Sequence, residues 1–389
     1  MKAKKTHITY VDFLEKLRVL VNDTTTHNFS KRLENILNKV DLLLRDGVEF
    51  YAKPNKDKGL KGFKEVVQYK DVCQEYENNA SLVKKVINEY MRGNLYQSIS
   101  LLNDWWDCVK KQVTFTYAPL KEDYVYYRVR HKNSQIFQHR DMFHIPLNLR
   151  GQVTTQRYSM PGYPCLYLGN SIYACWEELK RPALDDFAVS AFKARKKFYL
   201  LDLRLRKRFY TKENCLQFLK MLPIVLACSM RVKNEDDNFK PEYILPQLLL
   251  HIVIVQHQGD GLIDISPEEK IKIEGIVYSS VAVNDEFNFA NSPTTYYIGD
   301  CVVLPVKVID GSSQNLYCQD LISKFLVSNP KYYESDYIKD SFAFMRHYLC
   351  QLIKSEDGNN ARPPFAKNYD SSYFKYLEMS WKETDFKQI

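Results

Sequence analysis

The sequence lacks the short motifs that mark several common enzyme classes. It contains no Gly-x-x-x-x-Gly-Lys phosphate loop, no Gly-x-Gly-x-x-Gly dinucleotide loop and no Gly-x-Ser-x-Gly nucleophile elbow. It shows no internal repeat either. These absences argue against a P-loop nucleotidase, a Rossmann dehydrogenase, an α/β-hydrolase and a solenoid protein.

Metal-binding spacings are also missing. The nine Cys residues are odd in number and include no Cys-x-x-Cys pair, and no Cys or His cluster has the spacing of zinc ligands. Several lie within apolar runs, as Cys73, Cys228 and Cys301 do. The sequence therefore predicts buried free thiols in a reducing compartment and no metal site.

No signal-peptide apolar core follows the basic start of the chain, and no apolar run is long enough to span a bilayer. We expect a soluble, cytoplasmic protein without a membrane partner. The formal net charge of +8, from 55 basic and 47 acidic residues, is a mild excess that favours phosphate-bearing ligands. Nucleic-acid binding through the basic stretch 53–70 ranks last among the functional hypotheses.

The first part of the chain has a helical pattern. Apolar residues recur at helical spacing in segments 8–22, 28–45, 82–92 and 95–112. Ser81 is the expected N-cap of the third of these helices. We therefore predict a helical N-terminal unit over residues 1–115, with the Lys- and Gly-rich stretch 53–64 as an exposed loop inside it.

The pattern becomes mixed after residue 115. Predicted strands lie at 124–130, 165–168, 188–194, 197–203, 274–279 and 294–306, and predicted helices at 172–180, 213–230 and 243–255. Strands and helices in irregular order favour the α+β class over repeating βαβ units. We assign residues 116–328 to this unit, with a helix at about 315–328 at its end.

Residues 329–389 form the predicted C-terminal helical extension. A Tyr-rich helix is expected at about 333–354, followed by a loop at 355–364.

The densest set of polar residues lies between Gln156 and Leu179. Arg157 opens a turn, Tyr167 lies in a short apolar strand, and the next helix carries Glu177 and Glu178. Adjacent residues on a helix point about 100° apart. The sequence therefore predicts that one glutamate faces a site while the other faces solvent or a lysine such as Lys180.

Further blocks follow at recognisable distances. Tyr167 comes ten residues after Arg157, and Glu178 comes eleven after Tyr167. Tyr243, Pro246 and Gln247 form a middle block, and the strand Gly275-Ile276-Val277-Tyr278-Ser279-Ser280 forms the last. Tyr127 and Arg128 lie on the opening strand. This ordered set, from about 126 to 327, resembles the RES domain, a family named for its Arg, Glu and Ser.

Two features of the chain depart from that resemblance. The family's usual Gly before the arginine is Gln156 here, and the glutamate position is doubled. The helical front and the C-terminal extension lie outside the resemblance.

The resemblance implies a fold related to ADP-ribosyltransferases and an enzyme that degrades NAD. Arg157, Tyr167, Glu178 and Ser280 are then the expected catalytic residues. Glu178 would stabilise the oxocarbenium-like ribose, Arg157 would hold the diphosphate or a ribose oxygen, and Tyr167 would stack on the nicotinamide. The expected further substrate-binding residues are Arg128, Tyr158, Glu177 and His144. His144, between two apolar neighbours, also fits a structural role.

Several alternatives stay open at this stage. Water or inorganic phosphate is the expected nucleophile, which gives hydrolysis or phosphorolysis of NAD. Transfer of ADP-ribose to a macromolecule and an inactive binding protein of the same fold are the competing functions. The resemblance implies a toxin restrained by a separate antitoxin protein. The domain order alone raises a second hypothesis, in which the front 1–115 restrains the site in cis. The sequence leaves a homodimer undecided.

Overall fold

The fold is described from a computed structural model. It describes residues 7–26, 28–52, 63–112, 117–132, 136–205, 211–258, 263–266, 269–283, 298–307, 316–332 and 373–389. The predicted helix at 333–354, the predicted loop at 355–364 and most of the basic stretch 53–64 lie outside these residues. Within the described part of the chain, no helix is both long and apolar enough to cross a membrane.

The N-terminal front combines four helices with a small sheet. The helices are α1 (Tyr10–Asn22), α2 (Phe29–Arg45), α3 (Cys73–Met91) and α4 (Leu95–Gln112). The strands are β1 (Ile8–Thr9), β2 (Val48–Ala52) and β3 (Phe63–Val67), with β1 parallel and β3 antiparallel to β2. The helices were predicted, whereas the sheet was not.

A ten-stranded sheet dominates the rest of the described chain. Its strands are β4 (Tyr117–Leu120), β5 (Val125–His131), β6 (Cys165–Gly169), β7 (Phe187–Ala194), β8 (Phe198–Leu203), β11 (Ile273–Ser279), β12 (Asp300–Pro305), β13 (Phe325–Ser328), β14 (Lys331–Tyr332) and β15 (Phe386–Lys387). The order is β15-β13-β7-β5-β6-β12-β11-β8-β4, and β14 pairs with β7. A separate hairpin joins β9 (Ile263–Ser266) to β10 (Glu269–Ile271).

Five further α-helices in the described part of the chain accompany these strands. They are α5 (Ile172–Glu178), α6 (Lys212–Ser229), α7 (Ile244–Gln258), α8 (Gln319–Lys324) and α9 (Tyr373–Met379). Among the described strands of the large sheet, only β8 and β11 pair in parallel. Mixed strands with helices in irregular order confirm the predicted α+β class.

The two faces of the large sheet bury different cores. Successive side chains of a strand point to opposite faces. One face, called here the site face, carries Tyr278 and Cys301 and joins the core formed with α5, α6, α7 and the front. The opposite face carries Leu166, Val277 and Val302 and packs against Phe143 and α8. Both cores are continuous apolar layers, so the sheet is covered on both sides.

Two local predictions are wrong. Ser81 lies inside α3, which begins at Cys73, because the polar residues between them form helical turns. The predicted helix at 315–328 is a short helix that ends at Lys324, followed by β13, whose edge pairs with β7. At β13, pairing with a distant strand overrides local helical periodicity. In the C-terminal segment, the described helix α9 is followed by β15, which pairs with β13.

Candidate active site

The strand–turn–helix unit around β6 and α5 positions the predicted glutamates. Ser171 caps α5 by accepting a hydrogen bond from the Ala174 N–H, as the sequence predicted. Gly169, at the end of β6, allows the helix to pack closely, since a Cβ there would lie 2.6 Å from Cys175 Sγ. The side-chain amide of Asn170 links this turn to β12, because Asn170 Oδ1 accepts a hydrogen bond from the Asp300 N–H at 3.1 Å.

Glu178 is the carboxylate at the centre of the candidate site. Its side chain is exposed to solvent. Protein nevertheless surrounds the carboxyl, and the resulting desolvation raises its pKa, while a hydrogen bond from Ser280 and the charge of Arg157 oppose that rise. A carboxylate that is accessible to solvent yet enclosed by protein atoms is typical of a cleft that binds a small molecule.

Arg157 lies close enough to Glu178 to act on its charge, and the main chain fixes its position. Its Nη1 donates to the carbonyls of Cys228 at 3.1 Å and Met230 at 3.0 Å. The guanidinium lies over the ring of Tyr243, 5.3 Å from its centroid. Its Nε and Nη2 make no hydrogen bond to any residue that the structure describes, so two donor nitrogens, with three N–H groups, remain for a ligand.

Aromatic side chains on the site face form the floor beside Glu178. Tyr158 is fully buried, and its ring centroid lies 4.6 Å from that of Tyr278. Tyr167 is half-buried, and its hydroxyl donates to Ser159 Oγ at 3.0 Å. Burial raises the pKa of all three tyrosines, and the charge of Glu178 adds to each rise. They are neutral phenols around one carboxylate.

The structure therefore brings together the four predicted catalytic residues, which come from separate segments. They are Arg157, Tyr167, Glu178 and Ser280. Ser280 is buried at the end of β11, and its Oγ also accepts a hydrogen bond from the Ala282 N–H. Tyr158, one of the four predicted binding residues, lies in the same cluster. The other three predicted binding residues lie elsewhere.

Glu177 is buried away from the cleft. Arg181 donates to it through Nε at 2.8 Å and Nη2 at 3.0 Å, a bidentate pair. Lys180 and Arg181 both have positive φ angles, 62° and 58°, which turn the chain back so that Arg181 reaches the preceding helical turn. The expectation that the second glutamate faces solvent or Lys180 is wrong, because Lys180 pairs with Glu235 instead.

Arg128 and His144 are not part of the Glu178 cluster. Arg128 follows Tyr127 on β5, so its side chain points to the opposite face of the sheet. Its Nη1 donates to the main-chain carbonyl of Tyr167 at 3.0 Å. His144 is buried against Tyr317, with Nδ1 beside the Ile145 carbonyl and Nε2 accepting from the Cys318 N–H. Burial lowers the pKa of His144 to about 4, so the ring is neutral. Both of its nitrogens are used in structural hydrogen bonds.

One residue of the middle block has a role that the sequence did not reveal. Gln247 Nε2 donates to Thr155 Oγ1, to the Gln156 carbonyl at 2.9 Å and to the Ser159 carbonyl at 3.3 Å. The amide thus holds the turn that carries Arg157. The resemblance to the RES domain singled out Gln247 in the sequence, but no local pattern indicated which turn its side chain would bind.

Comparisons with known proteins give one informative relative. The chain is 29% identical over 285 residues to "Putative toxin YopC" of Bacillus subtilis (strain 168), an alignment that covers 67% of this chain and 59% of that protein. The chain thus spans less than two thirds of its relative's length. No protein-family model matches the sequence, and no solved structure matches it. Membership of the RES family stays a prediction.

Proposed function

We propose that this protein is an NAD-degrading enzyme of the RES type, with a fold related to ADP-ribosyltransferases, that acts as a toxin. The observation that carries the proposal is the convergence of Arg157, Tyr167, Glu178 and Ser280 on one cleft. Each residue alone has an ordinary structural explanation. Four residue types suited to one reaction, which come from a turn, β6, α5 and the end of β11, support a catalytic site. The name of the Bacillus subtilis relative supports the toxin role.

The chemistry of the cleft suits cleavage of a nicotinamide–ribose bond. That bond breaks heterolytically, and its electron pair leaves with the pyridinium nitrogen, which becomes neutral. The ribose carbon acquires positive charge in an oxocarbenium-like transition state. The carboxylate of Glu178 would stabilise this charge, and no strong general acid is needed because the leaving group departs neutral.

The neighbouring side chains would hold and orient the substrate. The two unused donors of Arg157 suit the diphosphate of NAD, and the partly accessible ring of Tyr167 suits the cationic nicotinamide. Ser280 donates to the Glu178 carboxylate and thereby opposes the rise in the pKa of that group that burial causes. Water or inorganic phosphate would then attack the ribose carbon and release one proton, giving ADP-ribose or its 1-phosphate.

The test follows nicotinamide release from NAD by the purified full chain, with and without inorganic phosphate. Glu178→Gln keeps the shape of the side chain but removes its charge. We expect it to lower kcat by about 10²–10³-fold, the usual cost of losing a group that stabilises transition-state charge. Glu177→Gln is the matched control, assayed on protein whose folding is checked by circular dichroism, and should retain kcat.

Three results would separate the alternatives. A requirement for phosphate would identify phosphorolysis. Label from NAD retained on a macromolecule would indicate ADP-ribosyl transfer instead of NAD degradation. Absence of release by the folded wild type would overturn the proposed function and favour a binding protein of the same fold.

A further inference from the structure

A buried ion pair joins the N-terminal front to the back of the candidate site. Arg32, on α2, is 3% exposed, and its Nη2 donates to Glu242 Oε1 at 2.6 Å. Glu242 is also 3% exposed and belongs to the 3₁₀ turn Pro241–Tyr243 that precedes α7. The next residue, Tyr243, provides the ring under the guanidinium of Arg157. The glutamate of the ion pair is therefore directly followed in the chain by a residue that contacts Arg157.

Arg32 also binds the other end of the segment 230–243, which leads from α6 to the turn that carries Glu242. Arg32 Nη2 donates to the Arg231 carbonyl at 2.8 Å, and the Arg231 N–H donates to the Val21 carbonyl at the end of α1. The residue before Arg231 is Met230, whose carbonyl accepts a hydrogen bond from Arg157. The segment 230–243 thus contacts Arg157 on one side and the front on the other, at both of its ends.

The composition of the pair indicates a role in positioning. Burying two charges costs desolvation that an apolar pair of similar size would avoid, so a buried ion pair is weak as a source of stability. The Nε of Arg32 is itself buried without a hydrogen-bond partner among the described residues. What the pair supplies is directionality, since a guanidinium and a carboxylate meet only in a narrow range of geometries.

We propose that Arg32 is a positioning residue for the candidate site, and that the N-terminal front is a required part of that site and not a removable restraint on it. The Arg32–Glu242 pair fixes the segment 230–243, and this segment fixes Arg157 through the Met230 carbonyl and the Tyr243 ring. The catalytic half of this inference rests on the proposed function, in which Arg157 holds the diphosphate of NAD.

The test compares full-length variants that change the pair by steps. Arg32→Gln removes the charge, Arg32→Lys keeps it with fewer donors, and Glu242→Gln removes the partner charge. Arg45→Gln is the matched control, because Arg45 lies on the same helix and pairs with Asp41, but its side chain is 57% exposed. All variants are measured by hydrogen–deuterium exchange and by the steady-state kinetics of nicotinamide release.

Arg32→Gln should speed exchange in peptides covering 230–243 and the turn 155–159, while Arg45→Gln leaves both unchanged. It should also raise the KM for NAD roughly 10- to 100-fold with kcat changed much less, because a displaced Arg157 loses ground-state binding. Arg32→Lys should raise the KM for NAD less than Arg32→Gln does. If Arg32→Gln does not fold, Arg32→Lys and Glu242→Gln carry the same comparison.

Unchanged exchange in the turn 155–159 would overturn the inference. Faster exchange with an unchanged KM would overturn its catalytic half. The exchange measurement needs no substrate, so it decides the positioning role even if the wild type releases no nicotinamide, a result that would instead count against the proposed function.

Discussion

Glu177 and Glu178 are neighbours in the chain, yet their carboxylates lie in opposite environments. Glu177 is 4% exposed and bound by both arms of the Arg181 guanidinium. Glu178 is exposed to solvent and accepts a hydrogen bond from Ser280. The helix geometry separates the two side chains, and the left-handed residues after the helix bring Arg181 back to only one of them. The pair thus divides into a structural and a candidate catalytic carboxylate.

This division predicts opposite effects for the same substitution. Glu177→Gln should lower the free energy of unfolding by roughly 1.5–3 kcal/mol, since it weakens charge-assisted hydrogen bonds in a buried place. Glu178→Gln should not lower the free energy of unfolding, because burial already disfavours the charged form of Glu178. Urea unfolding of both variants measures the difference. Equal destabilisation by the two substitutions would contradict this assignment.

The second prediction concerns the pH dependence of NAD cleavage. If the Glu178 carboxylate is the active form, kcat/KM rises with pH through the raised pKa of that group. Ser280→Ala removes a donor that favours the ionised form, so the pKa should rise further and the acidic limb should move to higher pH. Ser279→Ala is the matched control, because the Ser279 hydroxyl faces Asp300 instead. If the acidic limb of the pH profile lies at the same pH in Ser280→Ala as in the wild type, the Ser280–Glu178 hydrogen bond does not influence that limb.

The third prediction concerns the C-terminal segment. Glu378, on α9, accepts a hydrogen bond from the Ile172 N–H at 2.9 Å, at the first residue of the helix that carries Glu178. A carboxylate at a helix N-terminus typically stabilises by about 0.5–2 kcal/mol. Glu378→Ala should lose about that much unfolding free energy and should also lower kcat/KM. Glu383→Ala, at an exposed pair with Lys193, should do neither.

The fourth prediction concerns Asp300, which shares Arg204 with Asp202. Burial raises the pKa of Asp300 from an ordinary 3.8 to about 7. The folded state therefore binds more protons than the unfolded state between these values, and the unfolding free energy falls as pH rises through this window. Asp300→Asn removes this titration, so its stability relative to wild type should grow from pH 4 to pH 7. The growth is at most about 1.4 kcal/mol per pH unit, and parallel stability curves would contradict it.

Much of the fold follows from local sequence patterns. The helices α1, α2, α4, α6 and α7 and the strands β5, β6, β7, β8 and β11 lie within a few residues of their predicted positions. Their apolar spacing reflects which face is buried, and that information is local. The sheet of the front was missed because β1 has only two residues, and its pairing with Val48 and Glu49 joins distant parts of the chain.

The candidate site was predicted in part. The resemblance to the RES domain grouped Arg157, Tyr167, Glu178 and Ser280, and the structure places these four residues near one another. His144 could be read as a ligand or as a structural residue, and only its contact with the Cys318 N–H decides for the latter. The role of Gln247 depends on a turn some ninety residues earlier in the chain, which no local pattern indicates.

The sequence by itself determined the elements, their α+β class and the polar residues that could do chemistry, because periodicity and residue type are local properties. The tertiary structure alone decided which glutamate is exposed beside Arg157 and Ser280, since that depends on the left-handed turn that returns Arg181 to Glu177. It also decided that the front adjoins the site, through a bond between Arg32 and Glu242 across 210 residues. Such contacts depend on how distant segments pack, and the spacing of residues along the chain does not predict that packing.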